Sequence, residues 1–527
     1  MQLTLRWRRI GPVVRWQLAA AVVAVIALAP AGLARAATTW QVTSQHDGAG
    51  SCAGSSCTTL RAAVAAASAG DTVMLPASTK HYILTQGEIQ ITKPIRIMGA
   101  GPRSSVVDAR GHSRVFEVTI GVTHSQTVTF RALTITGGKV TSLTAAAPGG
   151  GGVVVDSNAG NLMLNHVLVS GNSVSGVSSN GNGTRLAGGG GILDLGGSFV
   201  GPSFTEVGGN LTLLRSTVSD NHVTLQGDGD APGGGGIKVD EGNTTLTRSV
   251  VSGNTVDTSA ATGDDQGGGG IENRGRILTL NASTIRGNTI TTSATSPRGS
   301  GGGGINNQGD IMRVTRSTIS GNTANIAVNH DAGGGGVFDG EGSVWVNSTV
   351  AGNTTNVPAG LRTGGGGIYS PAFEATRFTN VTIVRNSSAH APGGGIFAPA
   401  GEGGKLVRIK NSIVALNHSG AGGVNCGGRQ KTFRSLGHNL EDDRGRSCRF
   451  TKASDIFSAH PLLGPLASNG GPTKTVALLT GSPAIDRIPL ASCTDQSSVR
   501  VTIDQRGRSR PDGHEPRCDV GAYESRG

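Results

Sequence analysis

Acidic side chains in short polar loops are the first candidates for chemistry in this chain. Asp240 and Glu241 are adjacent, and Asp339 and Glu341 flank one glycine. Each pair could act as general acid and general base, or could bind calcium together with loop carbonyl oxygens. A solvated turn also explains each pair. We therefore keep these residues as candidate catalytic residues and calcium as a candidate cofactor, with the loops GDGD at 227–230 and GDD at 263–265 as further acidic segments.

Three aromatic residues are the candidate ligand-binding residues. Phe338, Tyr369 and Phe397 each lie two places after a run of glycines, in consecutive copies of a repeat, although aromatic residues make up only 3% of the chain. If they point away from the core, they form a ladder with a spacing of roughly 4.8 Å that can stack against the sugar rings of an extended glycan. Alternatively, the rings stack on one another or lie beneath a loop.

These residues belong to a unit that recurs about every 31 to 34 residues. The segment GGGGIENRGRILTLNASTIRGNT at 267–289 returns as GGGGINNQGDIMRVTRSTISGNT at 301–323. A period of this size indicates a stacked array of similar supersecondary units. One asparagine marks each of eight units, and an insertion lengthens the first step to 49 residues. The marker residues are Asn172, Asn221, Asn254, Asn288, Asn322, Asn353, Asn386 and Asn417.

Each unit is predicted to consist of β-strands, because its Val, Ile and Leu residues alternate with Thr and Ser. The apolar residues fall in three columns: directly after the glycine run, eight residues before the asparagine and three residues before it, as in Ile305, Val314 and Ile319. Three inward-facing columns per turn are typical of a parallel β-helix, in which each coil pairs with the next. Trp345 belongs to an inward column and is predicted to be part of the core.

The glycine runs are predicted to form the corners of the coils. The chain has 86 glycines, which lack the three-residue period of collagen and interrupt well-patterned strands. The third position after a run holds Asp194, Asn273, Asn307 and Asp339 in four of the units, and we predict a polar ladder there. Because asparagine or valine separates the acids in this column, it offers no carboxylate pair at either glycosidase separation.

Residues 1–36 have the features of a signal peptide. Arginines precede an apolar run from Leu18 to Leu33, and Ala34-Arg35-Ala36 supplies small residues at a cleavage site. No second long apolar segment follows, so no membrane span is predicted. Removing the signal peptide lowers the formal net charge from +11 to +6, which is too little to predict nucleic acid as a partner.

The rest of the chain divides into three parts. We predict an N-terminal cap with the first coils at 37–145, glycine-rich coils at 146–419, and a closing domain at 420–527. Residues 58–69 are predicted to form a helix that begins after Thr58 or Thr59 and is closed by Gly70. Such a helix would cover the apolar edge of the first coil.

All six cysteines lie outside the repeats. An even number in an exported chain indicates disulfides that fasten the ends. Of the pairings that six cysteines allow, proximity favours Cys52 with Cys57, Cys426 with Cys448 and Cys493 with Cys518. No pair has the spacing of a zinc ribbon, and no histidine is placed to complete a site, so no metal site is predicted.

The end segments resemble one group of proteins. CTTLRAAVAAASAGDTVMLP, from Cys57 onward, is similar to the CSLREA (Cys-Ser-Leu-Arg-Glu-Ala) segment of secreted bacterial right-handed parallel β-helix proteins, with Thr59 and Ala62 in place of Ser and Glu. GSPAIDR at 481–487, TIDQRGRSRP at 502–511 and CDVGAYE at 518–524 resemble the closing domain of the same group, called choice-of-anchor Q. The resemblance implies export and an all-β fold: a right-handed parallel β-helix with an N-terminal capping helix and a disulfide-stapled C-terminal cap. It implies no particular activity.

Two functions are argued from the sequence, and a purely structural spacer in the envelope is a third that is compatible with it. The favoured one is a secreted or surface-associated, non-catalytic and monomeric β-helix protein that binds a polysaccharide or another extended surface polymer. The alternative is a polysaccharide lyase or glycoside hydrolase, by analogy of fold. Loop acids that cluster over one face would favour the enzyme, and scattered acids would favour the binding protein.

Overall fold

The computed structural model divides the chain into Met1–Ala37 and Thr38–Gly527. All the elements given below belong to the second unit, and the predicted signal peptide falls almost wholly outside the described residues. The structure describes residues 35–121, 126–141, 149–156, 160–178, 187–196, 209–227, 233–261, 267–292, 301–327, 333–358, 364–371, 374–399, 406–421, 424–428, 431–444, 446–513 and 516–526.

Sheet B is formed by the strands that follow the glycine runs and by their counterparts in the other coils. It contains 11 parallel strands. Its register is one full repeat, so that Ile271 pairs with Ile305 and Asn273 with Asn307. The strands are Ile89–Ile91, Phe116–Val118, Val153–Val155, Ile192–Asp194, Ile237–Val239, Ile271–Asn273, Ile305–Asn307, Val337–Asp339, Ile368–Tyr369, Ile396–Ala398 and Cys426–Gly428.

Sheet A contains 26 strands, and most coils contribute two of them. The first row consists of Thr39–Val42, Thr72–Leu75, Arg96–Gly99, Thr127–Arg131, Asn161–Asn165, Leu211–Leu214, Thr244–Thr247, Ile277–Asn281, Ile311–Thr315, Val407–Lys410 and Phe433–Ser435. The second row consists of Tyr82–Ile83, Val106–Asp108, Thr134–Thr136, Leu168–Ser170, Thr217–Ser219, Val250–Ser252, Thr284–Arg286, Thr318–Ser320, Ile413–Ala415, Leu440–Glu441 and Ile456–Phe457. The long strands Ser343–Ala351 and Arg377–Val384 span both rows, and Cys52–Ala53 and Ser56–Cys57 form an antiparallel hairpin beside the first strand.

Sheet C contains nine parallel strands, of which the last eight each follow a marker asparagine. They are Lys139–Val140, Ser173–Ser178, His222–Gly227, Thr255–Ala261, Thr289–Thr292, Thr323–Asn325, Thr354–Asn356, Ser387–Ser388 and His418–Ser419. Each repeated coil thus passes from sheet B through both rows of sheet A to sheet C and returns through the glycine turn. The predicted parallel β-helix is confirmed.

The inward columns form one continuous core that reaches from the first coils to Phe450. The like residues Val251, Ile285 and Ile319 stack in register on successive coils. Trp345 is fully buried, and its ring centroid lies 5.7 Å from that of Phe378. Its predicted place in the core is confirmed.

The marker asparagines form a buried hydrogen-bonded ladder. The Asn288 side-chain amide donates to Asn322 Oδ1 at 2.9 Å and to the Val251 carbonyl oxygen at 3.1 Å. Asn288 Oδ1 in turn accepts the Asn254 backbone N–H at 3.0 Å. Each side chain therefore satisfies polar groups of the coils on both sides of it, groups that no water can reach.

A tight corner joins the two rows of sheet A. Its residue has a positive φ in ten successive coils, although none of them is glycine. The left-handed region is tolerated by asparagine and costs other side chains on the order of 1 kcal/mol. We call this set the corner column: Ala132, His166, Arg215, Arg248, Ala282, Arg316, Asn347, Asn380, Asn411 and His438.

The helix predicted at 58–69 spans Leu60–Ala66. Thr59 is its N-cap, as predicted, since Thr59 Oγ1 accepts the Ala62 N–H at 3.1 Å. The helix ends before Gly70, because Ala67 already has an extended backbone. The prediction that Gly70 closes the helix is therefore wrong. The buried residues of the helix join the main core beside the first strands.

The region predicted as a closing domain at 420–527 has two parts. Cys426–Gly428, Phe433–Ser435 and Leu440–Glu441 pair with the preceding coil, so the stack of coils continues to Ile456–Phe457. Residues 459–526, which we call the closing segment, then run back against the second row of sheet A. This segment contains the antiparallel pairs Leu463–Ala467 with Thr475–Leu478 and Ile488–Pro489 with Arg517–Cys518, and the 3₁₀ turn Leu490–Ser492.

The closing segment thus covers the side of the later coils as well as closing the array. Its Leu463, Val476 and Leu478 share a buried cluster with Ala351 and Val384 of sheet A. Small or apolar outward residues make this possible, whereas an earlier coil has the exposed Arg286 in the position of Ala351. The sequence predicted a cap only at the end of the array, and the structure corrects this prediction.

All three predicted disulfides are present: Cys52–Cys57, Cys426–Cys448 and Cys493–Cys518. The second fastens the last full coil, and the third lies within the closing segment. In the described part of the chain, no helix has the length and apolar character that crossing a membrane requires.

Replacing Asn288 with alanine should destabilise the protein by about 3 kcal/mol. The substitution leaves the buried Asn254 N–H and Val251 carbonyl without their partners. Urea unfolding followed by circular dichroism would measure the change. Asn281→Ala is the matched control, since Asn281 is exposed on the same coil, and equal losses in the two variants would contradict a structural role for the ladder.

Candidate functional site

Sheet B buries side chains on both of its faces. The middle residue of each strand points away from the main core, yet it is buried in every coil from Val153–Val155 to Ile396–Ala398. The glycine turn of the neighbouring coil covers it. A Cβ on Gly333 would lie 3.0 Å from Tyr369 Cδ2, and one on Gly364 would lie 2.9 Å from Phe397 Cγ. Glycine in the turns therefore makes room for a second layer of packed side chains.

The aromatic residues belong to this second layer. Phe338, Tyr369 and Phe397 are 6%, 0% and 5% exposed and form a cluster separate from the main core. The first two rings are stacked with centroids 5.1 Å apart, and the second and third centroids are 5.6 Å apart. They point away from the main core, as predicted, but the expectation of an exposed ladder is wrong. The alternative prediction, rings that stack on one another, describes the structure.

Two charged residues occupy the same column on neighbouring coils. The Lys238 ammonium is fully buried and donates to the Ala187 carbonyl oxygen at 2.8 Å. Glu272 accepts the Gly268 N–H at 2.9 Å and lies 3.2 Å from the Arg274 guanidinium. Burial raises the pKa of Glu272, and the positive charges of Arg274 and Lys238 oppose this increase. These charges are compensated within the protein, as buried charges must be.

Side chains at the third position of the sheet B strands form the predicted polar ladder, but only along part of the sheet. Asn273 Nδ2 donates to Asn307 Oδ1 at 2.8 Å, and Asn307 Nδ2 lies 3.5 Å from Asp339 Oδ1. The Ser343 and Thr376 hydroxyls donate to Asp339 Oδ2 at 2.6 and 2.8 Å. Burial raises the pKa of Asp339, and these hydrogen bonds oppose the rise. Because Asp339 is completely buried, it cannot contact a ligand as a catalytic residue must.

The other predicted acid pair lines an open cleft. Asp240, Glu241, Arg274 and Gln308 surround a volume of about 240 Å³. They follow the ends of three consecutive sheet B strands, which places them on neighbouring coils. Asp240 Oδ1 lies 3.9 Å from the buried Lys238 ammonium. The cleft therefore combines the Glu241 carboxyl group, a guanidinium and an amide with the side chain of Asp240, whose two carboxylate oxygens are buried.

Asp194 lies on the coil before this cleft and was not among the predicted catalytic residues. Its Oδ1 accepts the Gly196 N–H at 3.1 Å, whereas its buried Oδ2 has no hydrogen-bond partner among the residues that the structure describes. Burial, together with the nearby charge of Asp240, raises the pKa of Asp194 to about 8. Asp194 thus keeps its proton at neutral pH, but it is only 1% exposed and does not reach the surface of the cleft.

Glu341 lies apart from the cleft. Burial raises its pKa, and the negative charges of Asp310, Asp339 and Glu374 add to the rise. Three coil steps of roughly 4.8 Å each separate its strand from that of Asp240, or about 14 Å in all. This distance is longer than the carboxylate separations of retaining or inverting glycosidases. The predicted acids consequently form two groups along one edge of sheet B.

Calcium binding stays a prediction. Within the described ranges, no group of three or more His, Cys, Asp or Glu side chains is arranged to hold a metal ion. Most of the two acidic loops, at 228–230 and 263–265, lies outside the described residues.

A groove at the end of sheet C has a volume of about 430 Å³. Its polar wall is a ladder in which Asn356 Nδ2 donates to Asn325 Oδ1 at 2.8 Å and Asn325 Nδ2 donates to Thr291 Oγ1 at 3.3 Å. Its floor includes Ile326 and Val357, which are 3% and 4% exposed. The remaining described lining consists of Thr292, Ala327, Pro358, Ala389 and His390.

Comparison with known proteins adds no assignment to these sites. No protein-family model matches the chain, and a search of curated proteins gives no match. Function must therefore be inferred from the residues themselves.

Replacing Asp194 with asparagine should make the stability of the protein less dependent on pH. An unfolded aspartate loses its proton near pH 4, whereas the pKa of the folded residue is about 8. Its contribution to stability is present below about pH 4 and is lost as the pH rises towards 8. Relative to the wild type, the variant should gain at least about 1 kcal/mol between about pH 5 and pH 8.

Urea unfolding at several pH values would measure this difference. Asp220→Asn is a matched control, because Asp220 is exposed and has a positive φ that asparagine tolerates. Parallel pH profiles for the wild type and the Asp194 variant would contradict the assignment of a buried, protonated carboxyl group.

Proposed function

We propose that this protein is a secreted or surface-associated, non-catalytic β-helix protein that binds an extended glycan strand in the groove at the end of sheet C. The groove is the observation that carries the proposal. Its polar wall repeats once per coil at Thr291, Asn325 and Asn356, with a spacing of roughly 4.8 Å. Sugar rings present hydroxyl groups at their edges and apolar faces, which match the amide wall and the apolar floor of the groove.

The charge of the groove favours a neutral glycan. Its described lining contains no Asp, Glu, Lys or Arg. An anionic strand would therefore find no counter-charge there, whereas a neutral strand loses no strongly hydrated charge on binding.

Secretion is part of the proposal. The N-terminal arginines and apolar run support export, and three disulfides are stable in an oxidising compartment. The resemblance of the end segments to the CSLREA and choice-of-anchor Q group of exported β-helix proteins supports the same location. We propose a monomer, because the repeated surfaces that would bind glycan belong to one chain.

Ala327→Arg tests the groove. Ala327 is exposed and lines the groove, so a long charged side chain should block the site without disturbing the core. We expect retention of the mature protein on insoluble neutral polysaccharides to fall at least about tenfold, a change of roughly 1.4 kcal/mol. Ala77→Arg, at an exposed position on an early coil, is the control. Equal retention of both variants would reject this groove as the binding site.

A polysaccharide lyase or glycoside hydrolase is the second candidate function. The cleft lined by Asp240, Glu241, Arg274 and Gln308 favours it, since two neighbouring carboxyl groups can act as acid and base, although both oxygens of Asp240 are buried. The buried, protonated Asp194 beside Asp240 adds a group whose pKa differs from the ordinary value, a common feature of catalytic sites.

The enzyme candidate predicts new reducing ends or unsaturated products when the mature protein is incubated with polysaccharides, with and without calcium. If such products form, Asp240→Asn combined with Glu241→Gln should lower the rate by at least about 100-fold. Asp220→Asn, at an exposed position outside the cleft, should leave it unchanged. Binding without any product would support the non-catalytic proposal.

A further inference from the structure

The corner column already binds the backbone of another part of the chain over the later coils. Arg316 Nε donates to the Gln505 carbonyl oxygen at 3.2 Å, Asn347 Nδ2 to the Ile503 carbonyl oxygen at 2.8 Å, and Asn411 Nδ2 to the Ser492 carbonyl oxygen at 2.9 Å. The closing segment between Ser492 and Gln505, which includes a short antiparallel hairpin at Thr494 and Arg500, thus lies over these coils, and three side chains of the column bind its carbonyl oxygens. Side chains of the corner column can therefore bind the oxygen atoms of a chain that lies over them.

The same column continues over the earlier coils, where the described closing segment makes no such contacts. Arg248, Arg215 and His166 occupy it there, and Arg131 precedes the corner residue of the coil before them. All four side chains are exposed. In the parts of the chain that the structure describes, none of the three arginines has a hydrogen bond or an ion pair through its side chain, and the His166 side chain hydrogen-bonds only to the adjacent Asn165.

The charge of this surface differs from that of its covered continuation. The covered corners contain mostly asparagine, which suits the neutral carbonyl oxygens of a peptide chain. The uncovered side has Arg215 and Arg248 at consecutive corners, His166 at the corner before them and Arg131 next to the corner of the preceding coil. At roughly 4.8 Å per step, these four residues extend over about 14 Å. The residues on either side of these corner positions include no aspartate or glutamate.

Stacked cations in this arrangement repel one another, and a bound polyanion would remove the repulsion. A guanidinium group presents planar donors that fit carboxylate or sulfate oxygens, and it can bind them through two hydrogen bonds. A straight row of such groups fits a single extended strand with one acidic group per sugar better than it fits a helical duplex.

We propose that the surface formed by Arg131, His166, Arg215 and Arg248 binds an extended anionic polysaccharide strand, which lies along the coils. This site is separate from the neutral groove of sheet C and takes a glycan of different charge. Carboxylate or sulfate oxygens of the strand occupy the positions that carbonyl oxygens of the closing segment occupy farther along the column.

Affinity electrophoresis of the mature protein in gels that contain polygalacturonate, dextran or double-stranded DNA tests the proposal. Polygalacturonate should retard the wild type at about 0.02 M salt and fail to do so at about 0.5 M, because salt screens exposed charges. Arg215→Gln combined with Arg248→Gln should weaken this binding about tenfold. Arg103→Gln combined with Arg487→Gln is the matched control, since these arginines are exposed and lie outside the column.

Several outcomes would overturn the proposal. These are no retardation by polygalacturonate, equal weakening in the two double variants, and DNA binding as tight as polygalacturonate binding. Dextran retardation that Ala327→Arg removes and the Arg215 and Arg248 variant retains would support two separate glycan sites. A wild type that dextran does not retard, but that polygalacturonate retards through Arg215 and Arg248, would support this site and count against the neutral groove.

Discussion

The asparagine ladder is the interaction on which the stacked architecture depends. Each marker side chain is buried and binds backbone or amide groups of the coils on both sides of it, so one coil alone would leave these groups unsatisfied. The ladder also has a suitable last member. Asn417 donates to Asn425 Oδ1 at 3.0 Å, and Asn425 donates to a carboxylate oxygen of Asp442 at 2.9 Å. A carboxylate accepts hydrogen bonds without requiring a further acceptor, which ends the ladder with its last amide satisfied.

The glycine turns decide what the second face of sheet B can hold. Because the turns lack side chains, the middle residues of the strands pack against the turn backbone, and this layer contains aliphatic, charged, amide and aromatic side chains in succession. The layer tolerates charge only where partners are supplied, as for Lys238 and Glu272. Its residues pack between neighbouring coils, and the candidate ligand-binding groups lie at the strand ends and at the corners.

Most of the fold follows from local sequence patterns, and the sites follow from them only in part. The repeat, the inward columns, Trp345 and the three disulfides were predictable, because they depend on periodicity or on short separations along the chain. The burial of Phe338, Tyr369 and Phe397 was not. Alternation along a strand shows to which side a residue points, but it does not show that a glycine turn covers that side.

Other sites were missed for different physical reasons. Asp194 and Asp240 lie one position apart on neighbouring coils, so they belong to different columns. The pattern of acids within one column therefore did not indicate that they are close together. The groove of sheet C had a signal in the Thr-x-Thr and Thr-x-Asn segments at 289–291 and 323–325, but such residues resemble ordinary solvent-facing positions. The closing segment packs through pairs such as Gln505 and Thr318, which are 187 positions apart, and no repeated pattern marks such contacts.

The position of the closing segment also bears on how such a chain can evolve. Its contacts with Arg316, Asn347 and Asn411 fix the number and order of the coils beneath it, so duplication of a coil there would shift these partners out of alignment. A coil duplicated between Asn221 and Asn288 would disturb none of them, and it would extend the asparagine ladder by one member. The earlier coils are therefore the part of the gene in which repeat number can vary between lineages, with the length of the uncovered surface varying in proportion.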